Sequence, residues 1–242
     1  MTTRNKLKSV RFMLPMLAAR KRVRAQLGQT RGLMRWADAI ASPTEFYTLT
    51  CWANQQVMFN FMSSDAHRDM MWLFTKWSDE FWSMRWWPSE CEVGDWQGKH
   101  FALRGDKSLE RRPQSPIPDI ALSPRAGPVD PSVCPVTAVL ARTDVRDLDV
   151  LRRLLHTRRM LKHQTPRLVR WALGSVELNQ YLLLTIWEQY DEHVLSSLAD
   201  SLPGAWLMAW RPGDYEIGHW DGLRLRQLAK RAPSEKVVSS EL

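Results

Sequence analysis

Hydrophobic and polar positions follow two similar series of strand and helix patterns along this chain. The first series predicts, in order, a strand at 8–14, a helix at 15–27, strands at 32–40 and 45–52, a helix capped by Asn54, a helix carrying His67 and an extended segment at 83–96. Pro15 is expected to start the first helix and Gly28 to stop it. The second series predicts a strand at 134–142, a helix at 145–161, strands at 167–176 and 179–188, a helix at 189–199 and an extended segment at 205–220.

Short motifs repeat together with this pattern. Arg35-Trp36 and Thr50-x-Trp52 recur 135 residues later as Arg170-Trp171 and Thr185-x-Trp187. Farther along, Met84-x-Trp86-x-Pro88 recurs 124 residues later as Met208-x-Trp210-x-Pro212. The difference between the two offsets means that the first half carries eleven additional residues, which fall in the helical region around His67. The sequence therefore predicts an internal duplication with one modified copy.

Each half has the order β-α-β-β-α-β, which is that of a ferredoxin-like unit. Such a sheet carries helices on one face, and two copies can pack their open faces together as an eight-stranded barrel. The predicted fold class is α+β, with two ferredoxin-like repeats packed as a pseudo-symmetric dimeric α+β barrel within one chain. The predicted domains are a first repeat at 1–102, a Pro-rich linker at 103–133, a second repeat at 134–228 and a flexible tail at 229–242.

Composition excludes several classes of protein. The chain is 44% hydrophobic, but no apolar run is long enough to span a bilayer, so no stable membrane insertion is expected. Its three cysteines lack the spacing of a zinc site or a disulfide framework, which favours a cytoplasmic location. The sequence also lacks a Ser-His-Asp arrangement, a P-loop and a Gly-rich dinucleotide motif. Hydrolysis, phosphoryl transfer and nicotinamide chemistry are therefore not predicted.

The net charge of +8 comes largely from arginine clusters around 20–24 and 152–162. Both clusters lie opposite apolar helical stripes, and no recognisable nucleic-acid module accompanies them. We interpret them as solvated helix faces and expect no nucleic-acid partner.

His67 is the main candidate for chemistry. At helical spacing it shares one face with Met70, Met71 and Phe74, and the capping residue types at 63–65 place it in the first turn of a helix. A neutral imidazole in such surroundings can ligate a haem iron or act as a general base. The alternative is a histidine that only makes a structural hydrogen bond. The other five histidines, at 100, 156, 163, 193 and 219, are interpreted as structural or surface residues.

Tryptophans and one arginine complete the candidate site. Trp72, Trp77 and Trp82 are interpreted as having no counterpart in the second half and are predicted to line a substrate pocket, with core packing as the alternative. The repeated tryptophans at 36, 52, 96, 171, 187 and 220 are assigned to the architecture. Arg85 could receive a ligand carboxylate or a haem propionate, or it could instead pair with a strand carboxylate such as Glu45 or stack on a tryptophan.

Four segments give the chain a resemblance to a known superfamily: Arg35-Trp36, 45–52 (EFYTLTCW), 61–67 (FMSSDAH) and 81–86 (FWSMRW). It resembles the antibiotic-biosynthesis-monooxygenase-like dimeric α+β barrels in a tandem form, and among them the spheroidene monooxygenase-like proteins. The resemblance implies a hydrophobic or aromatic substrate held between sheet and helices. Some members oxidise such substrates without a cofactor, while others bind haem through a histidine.

These observations predict an oxidoreductase of monooxygenase type acting on an apolar or aromatic small molecule in a barrel pocket, with haem as the candidate cofactor. His67 is predicted as the catalytic residue and as the ligand of the haem iron. Met70, Met71 and Arg85 are predicted to contact the cofactor, and Phe74, Trp72, Trp77 and Trp82 the substrate. The alternative is a non-catalytic protein of the same fold that binds a small molecule or haem. The protein is expected to be a monomer or a homodimer.

Overall fold

The computed structural model describes residues 1–101, 137–143, 148–161, 168–177, 180–188 and 192–225. The predicted Pro-rich linker at 103–133 and the predicted tail at 229–242 lie outside the described residues. The first half contains β1 (Thr2–Leu7), α1 (Met13–Gln29), β2 (Leu33–Ser42), β3 (Glu45–Trp52), α2 (Gln55–Met62), α3 (Asp65–Trp77) and β4 (Ser78–Val93). The second contains β5 (Thr137–Thr143), α4 (Leu148–Leu161), β6 (Leu168–Glu177), β7 (Gln180–Trp187), α5 (Glu192–Ser201) and β8 (Trp206–Gly218).

The strand predicted at 8–14 is wrong. The first strand is Thr2–Leu7, and a short 3-10 turn at Val10–Phe12 leads from it into α1. The error has a physical cause, because the buried positions of β1 include Thr2 and Arg4, which the hydrophobic pattern does not recognise as inward-facing. The start and stop predicted for α1 are also shifted, since the helix begins at Met13 and continues past Gly28 to Gln29.

The remaining predicted elements of the first half agree more closely with the structure. Asn54 caps α2 as expected, because its side-chain oxygen accepts a hydrogen bond from the Val57 N–H at 2.9 Å. The helix carrying His67 begins at Asp65 with Ser64 as its N-cap residue. β4 begins at Ser78, earlier than the predicted 83, because the chain becomes extended directly after Trp77.

Among the described residues, eight strands form a closed antiparallel barrel in the order β1-β3-β2-β6-β7-β5-β8-β4. One seam between the halves joins β2 to β6 at the pair Ile40 and Ser175, where Gly174 allows the close approach of Ala39. The other seam joins β4 to β8 along most of their length. The fold is therefore α+β, with a curled antiparallel sheet whose outer face carries the helices.

Two residue pairs at the β4–β8 seam are related by exchange of the two halves. Trp86 pairs with Pro212, and Pro88 pairs with Trp210. Trp86 and Trp210 are 124 residues apart, and so are Pro88 and Pro212. Exchanging the two halves therefore turns the pair Trp86–Pro212 into the pair Trp210–Pro88. The strand order within each half is also the same, namely β2-β3-β1-β4 and β6-β7-β5-β8.

The described residues form three hydrophobic clusters. Aromatic and aliphatic side chains from both halves fill the barrel interior, among them the buried tryptophans Trp82, Trp86, Trp96, Trp206, Trp210 and Trp220. A second cluster lies between α4, α5 and the outer face of the second half. A third lies between α1, α2, α3 and the outer face of the first half. This third layer holds the candidate site.

Candidate functional site

A cavity of about 100 Å³ lies between the helices α1, α2 and α3 and the sheet of the first half. Its apolar walls come mainly from the helices and include the side chains of Met16, Met58, Phe61, Met62, Met70, Met71 and Phe74. Methionine side chains adapt to irregular shapes, and aromatic rings offer flat contact surfaces. The cavity is therefore suited to a compact apolar or aromatic molecule.

His67 lines this cavity from the first turn of α3. Its Nδ1 lies 3.0 Å from the backbone carbonyl oxygen of Met62, and its ring packs against Phe61 with centroids 4.8 Å apart. Because a carbonyl oxygen can only accept, Nδ1 carries the hydrogen and Nε2 keeps its lone pair. Gln26 of α1 fixes this end of α3, since its Oε1 accepts from the His67 backbone N–H at 3.0 Å and its Nε2 donates to Ser64.

The imidazole of His67 is neutral at physiological pH. Burial lowers its pKa below the ordinary value of 6.5, and the hydrogen bond to the Met62 carbonyl opposes this shift only in part. The site thus presents a neutral nitrogen base to an apolar space. Such a group can accept a proton or bind a metal ion through Nε2.

The sheet contributes a polar floor to the same cavity, made by Thr3, Asn5, Asp38, Thr48, Thr50 and Ser83. At one end Arg20 forms a buried ion pair with Asp38 at 3.1 Å, and Thr48 donates to the same carboxylate at 2.8 Å. The pair leaves little net charge at this end, because each ion neutralises the other. The Met1 amino group also lines the cavity and donates to the Thr50 carbonyl at 2.7 Å, and burial lowers its pKa to about 6.

The predicted site residues fall into two groups. His67, Met70, Met71 and Phe74 all line the cavity, so the helical spacing brings them together as expected. The other four lie elsewhere in the structure: Trp72, Trp77, Trp82 and Arg85.

The tryptophans predicted for the pocket have different positions. Trp72 is 69% exposed on the outer side of α3, and Trp77 packs against the helical layer without lining the cavity. Trp82 is buried inside the barrel, where its Nε1 donates to Glu216 at 2.9 Å. Trp82 also has a counterpart, because Trp206 lies 124 residues later and donates to Glu92 in the same way. The prediction that Trp82 has no counterpart in the second half is therefore wrong.

Arg85 is buried beside the cavity but does not line it. Its guanidinium carbon lies 5.2 Å from the ring centroid of Phe59 and 5.5 Å from that of Tyr215. These distances are typical of cation–π contacts. Arg85 therefore stacks on aromatic rings, but these are Phe59 and Tyr215 rather than the predicted tryptophan.

Sequence reasoning missed the polar floor and the α1 side of the cavity. Asn5 and Asp38 had no motif that distinguished them from ordinary surface residues. Arg20 was interpreted as part of a solvated helix face, which is wrong, because its side chain is buried in an ion pair with Asp38. Trp52 was assigned to the architecture, but it lines the cavity as well as donating to Thr50 Oγ1 at 2.8 Å. The available signal was the polar residues at alternate positions of β3, Thr48 and Thr50, and it becomes informative only when the covering helices are known.

A separate polar cluster surrounds the buried Arg4 on the other face of β1. Arg4 contacts Glu45 at 2.5 Å, Glu80 at 2.8 Å and Asp221 at 3.0 Å, and His219 contacts Glu80 at 2.9 Å. Burial would lower the pKa of Arg4, but its hydrogen bonds to the two glutamates raise it overall. Burial likewise opposes ionisation of Glu80, yet Arg4 and His219 hold the pKa of Glu80 at about 2. This network stabilises the strand ends and lies apart from the cavity.

The cavity offers a nitrogen ligand that suits haem iron, but its volume is too small for the haem macrocycle. His67 Nε2 could ligate an iron, and the hydrogen bond from Nδ1 to a backbone carbonyl is the usual support for such a ligand. A volume of about 100 Å³, however, is small beside the roughly 300–1,000 Å³ of typical ligand pockets. A macrocycle does not fit between these side chains as they stand. Among the described residues there is no group of three or more His, Cys, Asp or Glu side chains that could hold a metal ion.

No family model matches the chain, and no curated protein matches it. Solved structures similar to it include a putative monooxygenase from Lactobacillus acidophilus NCFM, with 7% identity, a TM-score of 0.36 and coverage of 90% of this chain and 97% of that one. A putative monooxygenase from Fusobacterium nucleatum has 9% identity, a TM-score of 0.31 and coverage of 90% and 95%.

An anthrone oxidase-like protein has 8% identity, a TM-score of 0.31 and coverage of 90% of this chain and 91% of its own. Likeness at these scores carries no argument about activity. Within the described part of the chain, no helix is both long enough and apolar enough to cross a bilayer.

Proposed function

We propose that this protein binds a compact apolar or aromatic molecule between α1, α2, α3 and the sheet, and oxygenates it in a monooxygenase-type reaction with His67 as the general base. One observation carries the proposal. A neutral imidazole whose Nδ1 is held by the Met62 carbonyl leaves Nε2 as a proton acceptor at an apolar cavity. General bases are commonly buried imidazoles whose tautomer is fixed in this manner.

The chemistry requires a substrate with an acidic methylene group. His67 Nε2 accepts a proton from that group, and the resulting carbanion reduces and bonds O2, which is the oxidant. The imidazolium returns the proton to give a hydroperoxide, which loses water to leave a carbonyl group. One methylene group and one O2 thus become one carbonyl group and one water, so no further reductant is needed. The apolar walls exclude bulk water, which strengthens the interaction between the imidazolium and the carbanion.

Haem is the alternative oxidant-activating group, with His67 as its iron ligand. It requires the methionine-lined cavity to widen, so we derive no step through it. A Soret band in freshly purified protein that disappears in the His67→Ala variant would favour this alternative.

We further infer that the two halves are tandem ferredoxin-like repeats, in the arrangement of the spheroidene monooxygenase-like proteins that the sequence resembles. The identical strand order and the reciprocal pairing of β4 with β8 support this inference. So do matching side-chain contacts, since Arg35 donates to the Trp96 carbonyl and Arg170 to the Trp220 carbonyl.

Oxygen uptake with anthrone, an aromatic ketone with an acidic methylene group, tests the proposal. A three-ring molecule is larger than the cavity of about 100 Å³, so its binding also requires the flexible methionine side chains to move apart, though far less than a haem would. The purified protein is expected to accelerate O2 consumption above the rate without protein, with one anthraquinone formed for each O2 consumed. Heat-denatured protein is the control. Binding of an aromatic probe such as 9-fluorenone without accelerated O2 uptake would instead identify a non-catalytic binding protein.

A further inference from the structure

The two halves carry different side chains on the sheet face beneath their helices, polar in the first half and apolar in the second. Asp38 pairs with Thr48 across β2 and β3, and the positions 135 residues later are occupied by the pair Leu173 and Leu183. Ser83 likewise corresponds to Leu207, which lies 124 residues later. In the second half these three leucines pack into the core under α4 and α5. Polar side chains occupy the same face in the first half, where the cavity lies.

Most polar groups of this floor bond to one another. Thr48 donates to Asp38, which also pairs with Arg20. The hydroxyl groups of Thr3 and Ser83 share a hydrogen bond of 3.0 Å. These groups are therefore already satisfied within the protein.

Asn5 differs from its neighbours on the floor. It is 3% exposed, lines the cavity and accepts a hydrogen bond at Oδ1 from the Ser78 hydroxyl at 2.7 Å. Its Nδ2 has no hydrogen-bond partner among the described residues. Burying an unsatisfied N–H group is unfavourable, so native proteins seldom retain one without a purpose. Because Ser78 holds the oxygen end of the amide, the nitrogen end is left as the donor.

We propose that Asn5 Nδ2 donates a hydrogen bond to an acceptor oxygen of the molecule bound in the cavity. The ligand is therefore a compact aromatic molecule that carries a carbonyl or similar acceptor oxygen, with its ring system against the methionine and phenylalanine walls. Ser78 is a positioning residue that orients the amide. This inference rests on the proposed binding of an aromatic molecule in the cavity, but it does not depend on the proposed oxygenation.

Three rigid probes of nearly equal shape separate the possibilities by calorimetry. 9-Fluorenone carries an acceptor oxygen, carbazole carries an N–H donor, and fluorene carries neither, and none of them has to be turned over. The wild-type protein is expected to bind fluorenone about five-fold more tightly than fluorene or carbazole, which is the size of one neutral hydrogen bond. Asn5→Asp preserves the acceptor for Ser78 but removes the donor, so this preference should disappear.

Ser78→Ala should reduce the preference, and Asn60→Asp makes the same chemical change on an exposed residue of α2 as a matched control. Asn5→Leu provides a second variant if Asn5→Asp does not fold, as judged by thermal unfolding. The proposal is overturned if wild type binds fluorenone and fluorene equally, if it prefers carbazole, or if the folded Asn5 variants retain the preference for fluorenone. Failure of all three probes to bind would overturn the cavity itself, whereas binding without O2 uptake would affect only the proposed oxygenation.

Discussion

At the residue scale, the contact between His67 and the Met62 carbonyl decides what the imidazole can do. The sequence placed His67 on the same helix face as Met70, Met71 and Phe74, and all four line the cavity. It could not reveal the tautomer, because the Met62 carbonyl that fixes it belongs to the preceding helix. Nor could it reveal Asn5, whose significance depends on an unsatisfied Nδ2 beneath the covering helices.

The partly buried imidazole of His67 should make stability depend on pH. The native pKa of His67 lies below 6.5, so the unfolded state binds a proton more readily and the native state loses stability as pH falls from 6.5. We expect His67→Gln to remove this part of the fall in unfolding temperature. The Met1 amino group, whose pKa falls from 8.0 to about 6, contributes with the same sign between those values in both proteins. Calorimetric scans across this pH range measure the difference, and parallel curves for the two proteins would contradict the assignment.

At the element scale, α3 has one face that lines the cavity and one face in solvent. Phe74 is 6% exposed and lines the cavity, whereas Trp72 is 69% exposed. Phe74→Ala should lower the free energy of unfolding by about 3–5 kcal/mol, because it removes a buried ring. Trp72→Ala should change it by no more than about 0.5 kcal/mol and leave fluorenone binding intact. Urea unfolding and calorimetry measure both effects, and a loss of binding in Trp72→Ala would restore that residue to the site.

β4 and β8 each end at a glycine with a positive φ, Gly94 after β4 and Gly218 in β8. Gly218 has a φ of +74°, and a Cβ there would collide with the Phe81 carbonyl oxygen. Gly204 has a similar φ of +78° but open space around it, so it is the matched control. We expect Gly204→Ala to cost about 1–2 kcal/mol from the backbone conformation alone, and Gly218→Ala to cost more than about 3 kcal/mol because a backbone carbonyl must also move. Equal losses in urea unfolding would show that the close contact is relieved cheaply.

The strands illustrate why some elements could be predicted and others could not. β3 and β7 are rich in aromatic and aliphatic residues, and their predicted ranges agree closely with Glu45–Trp52 and Gln180–Trp187. β1 was missed because Arg4 is an inward-facing residue whose charge is neutralised by Glu45 and Glu80, from strands distant in sequence. Partners of this kind cannot be identified from a local hydrophobic pattern.

At the scale of the whole molecule, the two halves are held together mainly along β4 and β8. Their paired residues extend from Trp82 to Val93 on one strand and from Leu207 to Gly218 on the other. We predict that limited proteolysis cuts first within 104–132, where six prolines lie among charged residues, and that the two fragments remain associated in gel filtration. Denaturing electrophoresis should then separate them. First cleavage within the paired strands, or dissociation of the fragments under native conditions, would contradict this arrangement.

The proposed duplication rests on tryptophans, an arginine and a glycine that recur at fixed offsets along the sequence. The asymmetry was harder to predict. The first half has polar residues where the second has leucines, namely Asp38, Thr48 and Ser83 at the positions of Leu173, Leu183 and Leu207. This difference indicates a cavity only when both sets of side chains are known to face covering helices. The additional residues of the first half supply the rest of the difference, since two helices, α2 and α3, connect β3 to β4.

The central claim is that His67 acts as a base on a molecule bound in this cavity. The most direct test compares the rate of anthrone-dependent O2 uptake in wild type and His67→Gln, with fluorenone affinity measured on both proteins. We predict that the variant folds, retains fluorenone affinity within about two-fold and loses about 100-fold or more of the enzymatic rate, as expected when a general base is removed. A folded His67→Gln variant with the wild-type rate would contradict the claim.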